Sequence, residues 1–144
     1  MSPSTPFPMV IHLLSAAAAL LLGAWQLVAA KRGLRHRSVG YAWMAAMLVA
    51  SASSFWLRGE LGFTWLAGFS PIHGLSLFTL LSLVMAIRFA VARDFRRHRG
   101  WVLGAYAGLV AAGVFAAALP GRTLNVILFA ELPRLFVAAN PALF

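Results

Sequence analysis

Four histidines stand at matched places in this 144-residue chain. His12 lies in Ile11-His12-Leu13-Leu14-Ser15 and His73 in Ile72-His73-Gly74-Leu75-Ser76. His36 and His98 are each flanked by arginines, in Arg35-His36-Arg37 and Arg97-His98-Arg99. His12 precedes His36 by 24 positions, and His73 precedes His98 by 25. Neutral imidazole ligates haem iron, and two axial histidines from facing helices of a bundle make a b-type site. The repeat pairs His12 with His73 and His36 with His98, so these four are the candidate axial ligands of haem b. A non-haem metal centre is disfavoured, because no carboxylate accompanies the histidines inside the apolar stretches.

Each histidine also has a structural reading. His12 and His73 can bond one another, Ser15, Ser76 or lipid headgroups and so register neighbouring helices. His36 and His98 can cap a helix start or meet lipid phosphates alongside their arginines. At ~1.5 Å rise per residue, 24 positions span ~36 Å, which puts the two pairs at opposite membrane surfaces, a long gap for direct electron transfer. Tyr41 and Tyr106 each follow an Arg-His-Arg and are either interfacial belt residues or contacts for a quinone at the cytoplasmic face.

The elements that position these residues must be membrane helices. The chain is 62% hydrophobic and 10% charged, with mean hydropathy +0.86. Soluble domains carry roughly 45–50% apolar and about 25% charged residues. Four stretches are long and apolar enough to cross a bilayer: about Met9–Ala30, Val39–Leu57, Pro71–Ala92 and Trp101–Leu119. Leu119-Pro120-Gly121-Arg122 ends the last of them. The first stretch reads as a retained helix: residues 1–8 have no Lys or Arg, and the positive residues follow the apolar run. The absence of cysteine excludes disulfides, thiolate metal sites and cysteine nucleophiles.

Charge sets the orientation. Lys31, Arg32, Arg35 and Arg37 follow the first span, and Arg88, Arg93, Arg96, Arg97 and Arg99 surround the third connection. Arg58, Arg122 and Arg134 fall on the other side. This bias predicts cytoplasmic loops at 31–38 and 93–100, in contact with anionic headgroups, with both termini outside a bacterial inner membrane. The net charge of +9 is therefore directed at lipid and not at nucleic acid. Trp25, Trp43 and Trp101 are expected at the inner interface, Trp56 and Trp65 at the outer one.

Each copy of the repeat, at about 9–57 and 71–119, is one helical hairpin, and both start on the same side of the membrane. The fold expected is an all-α integral membrane protein: a single domain, 1–144, with a four-transmembrane-helix bundle of two tandem same-orientation hairpins and a short C-terminal interfacial segment at 120–144. Small residues at spacing four offer the packing faces: Ser15, Ala19 and Gly23; Ala42, Ala46, Ala50 and Ser54; Ser82, Ala86 and Ala90; Gly104, Gly108, Ala112 and Ala116. The tail holds Glu131 and Arg134 among apolar residues. A charge at bilayer depth costs at least ~2.5 kcal/mol, so a helix on the outer surface or against the bundle is expected there, not a fifth span.

Several of these motifs occur together in one known family. His36-Arg37-Ser38-Val39-Gly40-Tyr41, Ser70-Pro71-Ile72-His73-Gly74-Leu75-Ser76, His98-Arg99-Gly100-Trp101 with Tyr106, and Leu119-Pro120-Gly121-Arg122 are ordered along nearly the whole chain. In this it resembles a bacterial family of predicted membrane proteins catalogued as domain-of-unknown-function family 2306. The resemblance implies a polytopic bacterial membrane protein and no particular activity.

Three functions follow as expectations. The first is an accessory or assembly component of a larger membrane complex. The second is a b-type electron carrier using the paired histidines, and the third a quinone or small-molecule binder at the cytoplasmic face. An enzyme has the least support. Glu60, Asp94 and Glu131 are the only acidic residues, and there is no phosphate-binding glycine loop, His-Glu-x-x-His or Gly-x-Ser-x-Gly.

Overall fold

The structure, a computed structural model, describes residues 7–30, 33–57 and 71–140. Lys31, Arg32, Arg58 and Trp65, which carry part of the orientation argument, and the acidic Glu60 lie outside the described residues. Among the described residues the helical elements follow one another as α1 Phe7–Val28, α2 Gly33–Ser54, α3 Pro71–Val91, α4 Phe95–Ala118, α5 Thr123–Val126 leading into a π-helical turn at Ile127–Glu131, and α6 Leu132–Ala139. No strand occurs among the described residues. The chain divides into two compact units, residues 1–109 and 110–144.

Within the first unit, contacts close a ring of helices. α1 and α2 form the most intimate pair. The start of α1 meets the end of α2 through His12 and Ala50, and its end meets the start of α2 through Gln26 and His36. The end of α2 meets the start of α3 through Ser54 and Ser76. The end of α3 meets the start of α4 through Ala86 and His98. Tyr106 of α4 returns to α1 by donating its hydroxyl to the Leu20 carbonyl at 3.2 Å. Sequential neighbours are thus antiparallel, and α2 and α4 both begin at one end of the bundle.

Three helices are long and apolar enough to cross a membrane: Phe7–Val28, His73–Val91 and Phe95–Ala118. α2 is not among them. It nevertheless buries six side chains, Trp43, Met47, Ala50, Ser51, Ser53 and Ser54, as many as are buried on α3, where they are His73, Ser76, Thr79, Ser82, Leu83 and Ala86. The buried row on α2 is therefore Trp43, Met47, Ala50 and Ser54; Ala42 of the expected stripe is exposed. Trp43 also departs from its expected interfacial place. It is 3% exposed and packs with Ala19, Met47, Leu83 and Ala105 in the core, whereas Trp25 stays exposed. The other stripes hold in part: Ala19, Gly23, Ser82 and Ala86 are buried, and on α4 a Cβ at Gly108 would lie 3.0 Å from the Leu75 side chain.

Two helices start earlier than the apolar pattern indicates, α2 by six residues and α4 by six. The expected loops 31–38 and 93–100 shrink accordingly, because arginine is a good helix former and the ends need no apolar face. The α3–α4 turn has its own chemistry. Arg93 adopts a left-handed conformation (φ 58°). The Asp94 amide bonds the Phe89 carbonyl at 2.9 Å and the Arg93 amide that of Ala90 at 3.1 Å, a Schellman closure of α3. Asp94 then caps α4, accepting the Arg97 amide at 3.0 Å.

The tightest packing is at Gly23. A Cβ there would run into the Tyr106 ring and lie 2.8 Å from Trp43 Nε1. At Gly113, by contrast, a Cβ meets nothing within 4 Å. Gly23→Ala should destabilise the protein by about 1–3 kcal/mol through overpacking, and Gly113→Ala should be neutral. Thermal denaturation in detergent checks this; equal midpoints for the two variants would remove Gly23 as the packing pivot. Asp94→Ala should cost about 1 kcal/mol by loss of the cap.

Candidate functional site

Imidazole nitrogens inside an apolar bundle need partners, and His12, His36 and His98 take theirs from a neighbouring helix. His12 Nδ1 donates to the Ala50 carbonyl at 2.9 Å and lies 3.2 Å from Ser53 Oγ. His36 Nδ1 donates to Gln26 Oε1 at 2.8 Å, while Gln26 Nε2 donates back to the His36 carbonyl at 3.0 Å. His98 Nδ1 donates to the Ala86 carbonyl at 2.9 Å. In each case the oxygen cannot donate, so Nδ1 carries the proton and the neutral ring keeps its lone pair on Nε2.

The helical start of α2 and α4 explains how His36 and His98 reach inward. Successive helical residues differ by about 100° in direction. Within each Arg-His-Arg the two arginines are exposed and the histidine is turned toward the bundle. Arg35 and Arg37 of one turn, and Arg93, Arg96, Arg97 and Arg99 of the other, form two exposed basic caps at the same end. Arg97 also pairs with Asp94 at 3.5 Å and covers the Phe89 ring at 5.4 Å from its centroid. Trp101 of α4 stands beside Phe78 with ring centroids 6.4 Å apart.

His12 meets the last turns of α2, and His73 meets the residue that follows them. His73 is buried, its ring 5.9 Å from that of Phe55. Below it a hydroxyl relay crosses from α3 to α2. Ser54 Oγ donates to the Ser51 carbonyl at 2.7 Å, which leaves Ser76 to donate to Ser54 Oγ, also at 2.7 Å. Ser53 Oγ donates to the Ala50 carbonyl at 3.0 Å, and Ser82 to that of Phe78 at 2.8 Å. Ser15, weighed as a histidine partner, donates instead to its own helix, to the Ile11 carbonyl at 2.7 Å. An open groove of about 260 Å³ between Phe7, Pro8 and Ile11 of α1 and Val49, Ala52, Ser53 and Trp56 of α2 adjoins the His12–Ser53 contact.

The arrangement limits the chemistry available. Because His12 Nδ1 is a donor, it cannot take a proton from Ser53, so this pair is not a nucleophile with its base. No group of three metal-ligating side chains occurs among the described residues. His36 bonds Gln26 of the preceding helix, and His98 bonds Ala86 of the preceding helix. Sequence reasoning singled out His12, His36, His73 and His98, and placed Ser54 only in a small-residue stripe, without its bond to Ser76. The cluster Ser51, Ser53 and Ser54 at the end of α2, between two histidine-bearing helix starts, was the available signal.

Replacing Ser54 or Ser76 by Ala, singly and together, should give a coupling of about 0.5–1.5 kcal/mol in a double-mutant cycle, the range for interhelical bonds in lipid. Strictly additive midpoints would mean that the hydroxyl relay joins nothing.

Residues 9–139 match a family described as predicted membrane protein (DUF2306). No curated protein and no solved structure matches this chain.

Proposed function

The chain belongs to the DUF2306 family of predicted membrane proteins, and from this we propose that it serves as a structural or assembly component of a bacterial inner membrane, with α2 as a fourth span. The carrying observation is that three imidazoles each use Nδ1 to hold a neighbouring helix: His12 on α2, His36 on α1 and His98 on α3. These are clasps. His36 and His98 occupy equivalent places, each reaching back from the start of a second helix to the end of the first. That correspondence supports two tandem hairpins of one orientation. The two exposed basic caps at the end where α2 and α4 begin support a cytoplasmic setting for both turns, where Arg35, Arg37, Arg93, Arg96 and Arg99 meet anionic headgroups. Few polar groups are left without a use inside the helix ring, as befits a scaffold that docks to a larger complex.

One observation favours a second reading. A histidine whose Nδ1–H bonds a backbone carbonyl presents Nε2 as a basic nitrogen, the state of an axial haem ligand with its outer partner in place. His12 and His98 both have this arrangement. Absorption spectroscopy separates the two. Protein purified in mild detergent after expression with ample haem should show no Soret band, and His12→Ala and His98→Ala should each lower the unfolding midpoint by about 1–3 kcal/mol equivalent, the cost of an orphaned partner. A Soret band abolished by His73→Ala or His98→Ala would overturn the structural reading in favour of the redox one.

A further inference from the structure

The second unit holds the end of α4 and the tail that follows it. The connection between them is fixed. Gly121 takes φ 80°, the Arg122 amide bonds the Leu119 carbonyl at 3.3 Å, and Asn125 Nδ2 donates to the free carbonyl of Ala117 at 2.7 Å. The tail therefore leaves the end of a membrane-spanning helix through a short, tied turn, so its starting depth is set by α4.

The tail itself is helical from Thr123 to Ala139, about 17 residues or ~25 Å, shorter than a hydrocarbon core of ~30 Å. No side chain in α6 is buried. Leu132, Leu135 and Phe136 are exposed and fall within an arc of about 100° at helical spacing. Phe129, in the π-helical turn, is exposed as well. Arg134 lies roughly opposite that arc and pairs with Glu131 at 3.8 Å. The two charges cancel. An amphipathic helix with a neutral polar face gains little from a charged surface; its attraction to a membrane comes from buried apolar area.

We propose that α6 is an interfacial anchor, lying in the headgroup–acyl boundary where α4 leaves the bilayer, with Leu132, Leu135 and Phe136 in the lipid, Arg134 in water, and no requirement for anionic lipid. Lipid is the occupant because the tail is tied by four intervening residues to a helix that already spans the membrane. The lipid charge is immaterial because Glu131 and Arg134 answer one another.

The chain has no cysteine, so single nitroxide labels can be placed without altering the background. Leu132→Cys, Arg134→Cys and Phe136→Cys of the full protein would be labelled and reconstituted in phosphatidylcholine vesicles, with and without one part in about three of phosphatidylglycerol. Collision with oxygen and with a water-soluble nickel chelate would then be read by electron paramagnetic resonance. The labels at 132 and 136 should collide severalfold more with oxygen than with nickel, the label at 134 the reverse, and both vesicle types should agree. Immobilised labels shielded from both reagents at 132 and 136 would mean that a protein surface covers the helix, and would overturn the proposal. So would nickel exclusion at all three positions, which indicates insertion, or an oxygen preference seen only with the anionic lipid.

Discussion

A hydrogen-bonding group inside a bilayer has no water to turn to, and that shortage organises this molecule. Every polar side chain placed among the apolar helices must find a partner on a helix, and an unmet group costs several kcal/mol in hydrocarbon. The histidines meet the demand across helices: Nδ1 of His12, His36 and His98 each finds an oxygen on the adjacent element. The serines do so partly within their own helix, as with Ser15 and Ser82, and partly through the Ser76–Ser54–Ser51 relay. Because lipid supplies no hydrophobic drive for helices to associate, these directed bonds and close approaches such as Gly23 against Tyr106 carry specificity that a core would carry in water.

The same constraint assigns the helices their places. α1, α3 and α4 can face lipid along most of their length. α2 cannot do so as well, since it starts with arginines and ends in a cluster of serines. Covering it with its neighbours converts those hydroxyls from a liability into contacts. It also accounts for Trp43, whose ring fills the space beside Gly23. Its Nε1 is the one buried side-chain nitrogen or oxygen without a hydrogen-bond partner among the described residues. The packing of a large aromatic surface outweighs one unmet donor whose net cost is about 1–3 kcal/mol.

Much of this was legible in the residues themselves. The all-helical class, the approximate places of α1 to α4 and the stopping signal at Leu119-Pro120-Gly121 could be read directly, because apolar length and punctuation are local properties. Where the reading departs from the structure, the cause is tertiary. Hydropathy ends a span at its last apolar residue, but a helix continues as long as its backbone bonds are made, so α2 and α4 extend through their Arg-His-Arg triplets. Trp43 was assigned to the interface by type, whereas its place depends on a glycine twenty positions away. The partners of His36 and His98 were also out of reach, since a side-chain amide in one hairpin and a backbone carbonyl in the other perform the same task with no shared residue type.

That last difference shows two ways of holding a histidine at a helix start against the helix before it. In the first hairpin His36 is held by Gln26, and the amide returns a bond to the histidine's own carbonyl, so two groups are satisfied together. In the second, His98 bonds the Ala86 carbonyl alone, which requires α3 and α4 to lie close enough for a ring to reach a main-chain oxygen. Ala86 is almost fully buried, and a larger side chain there would keep the helices apart. A long acceptor on one helix and a small residue with an accessible carbonyl on the other are alternative solutions to one geometric problem. The histidine is the constant because its ring can donate at Nδ1 while still leaving a lone pair at Nε2, a combination that neither lysine nor arginine offers.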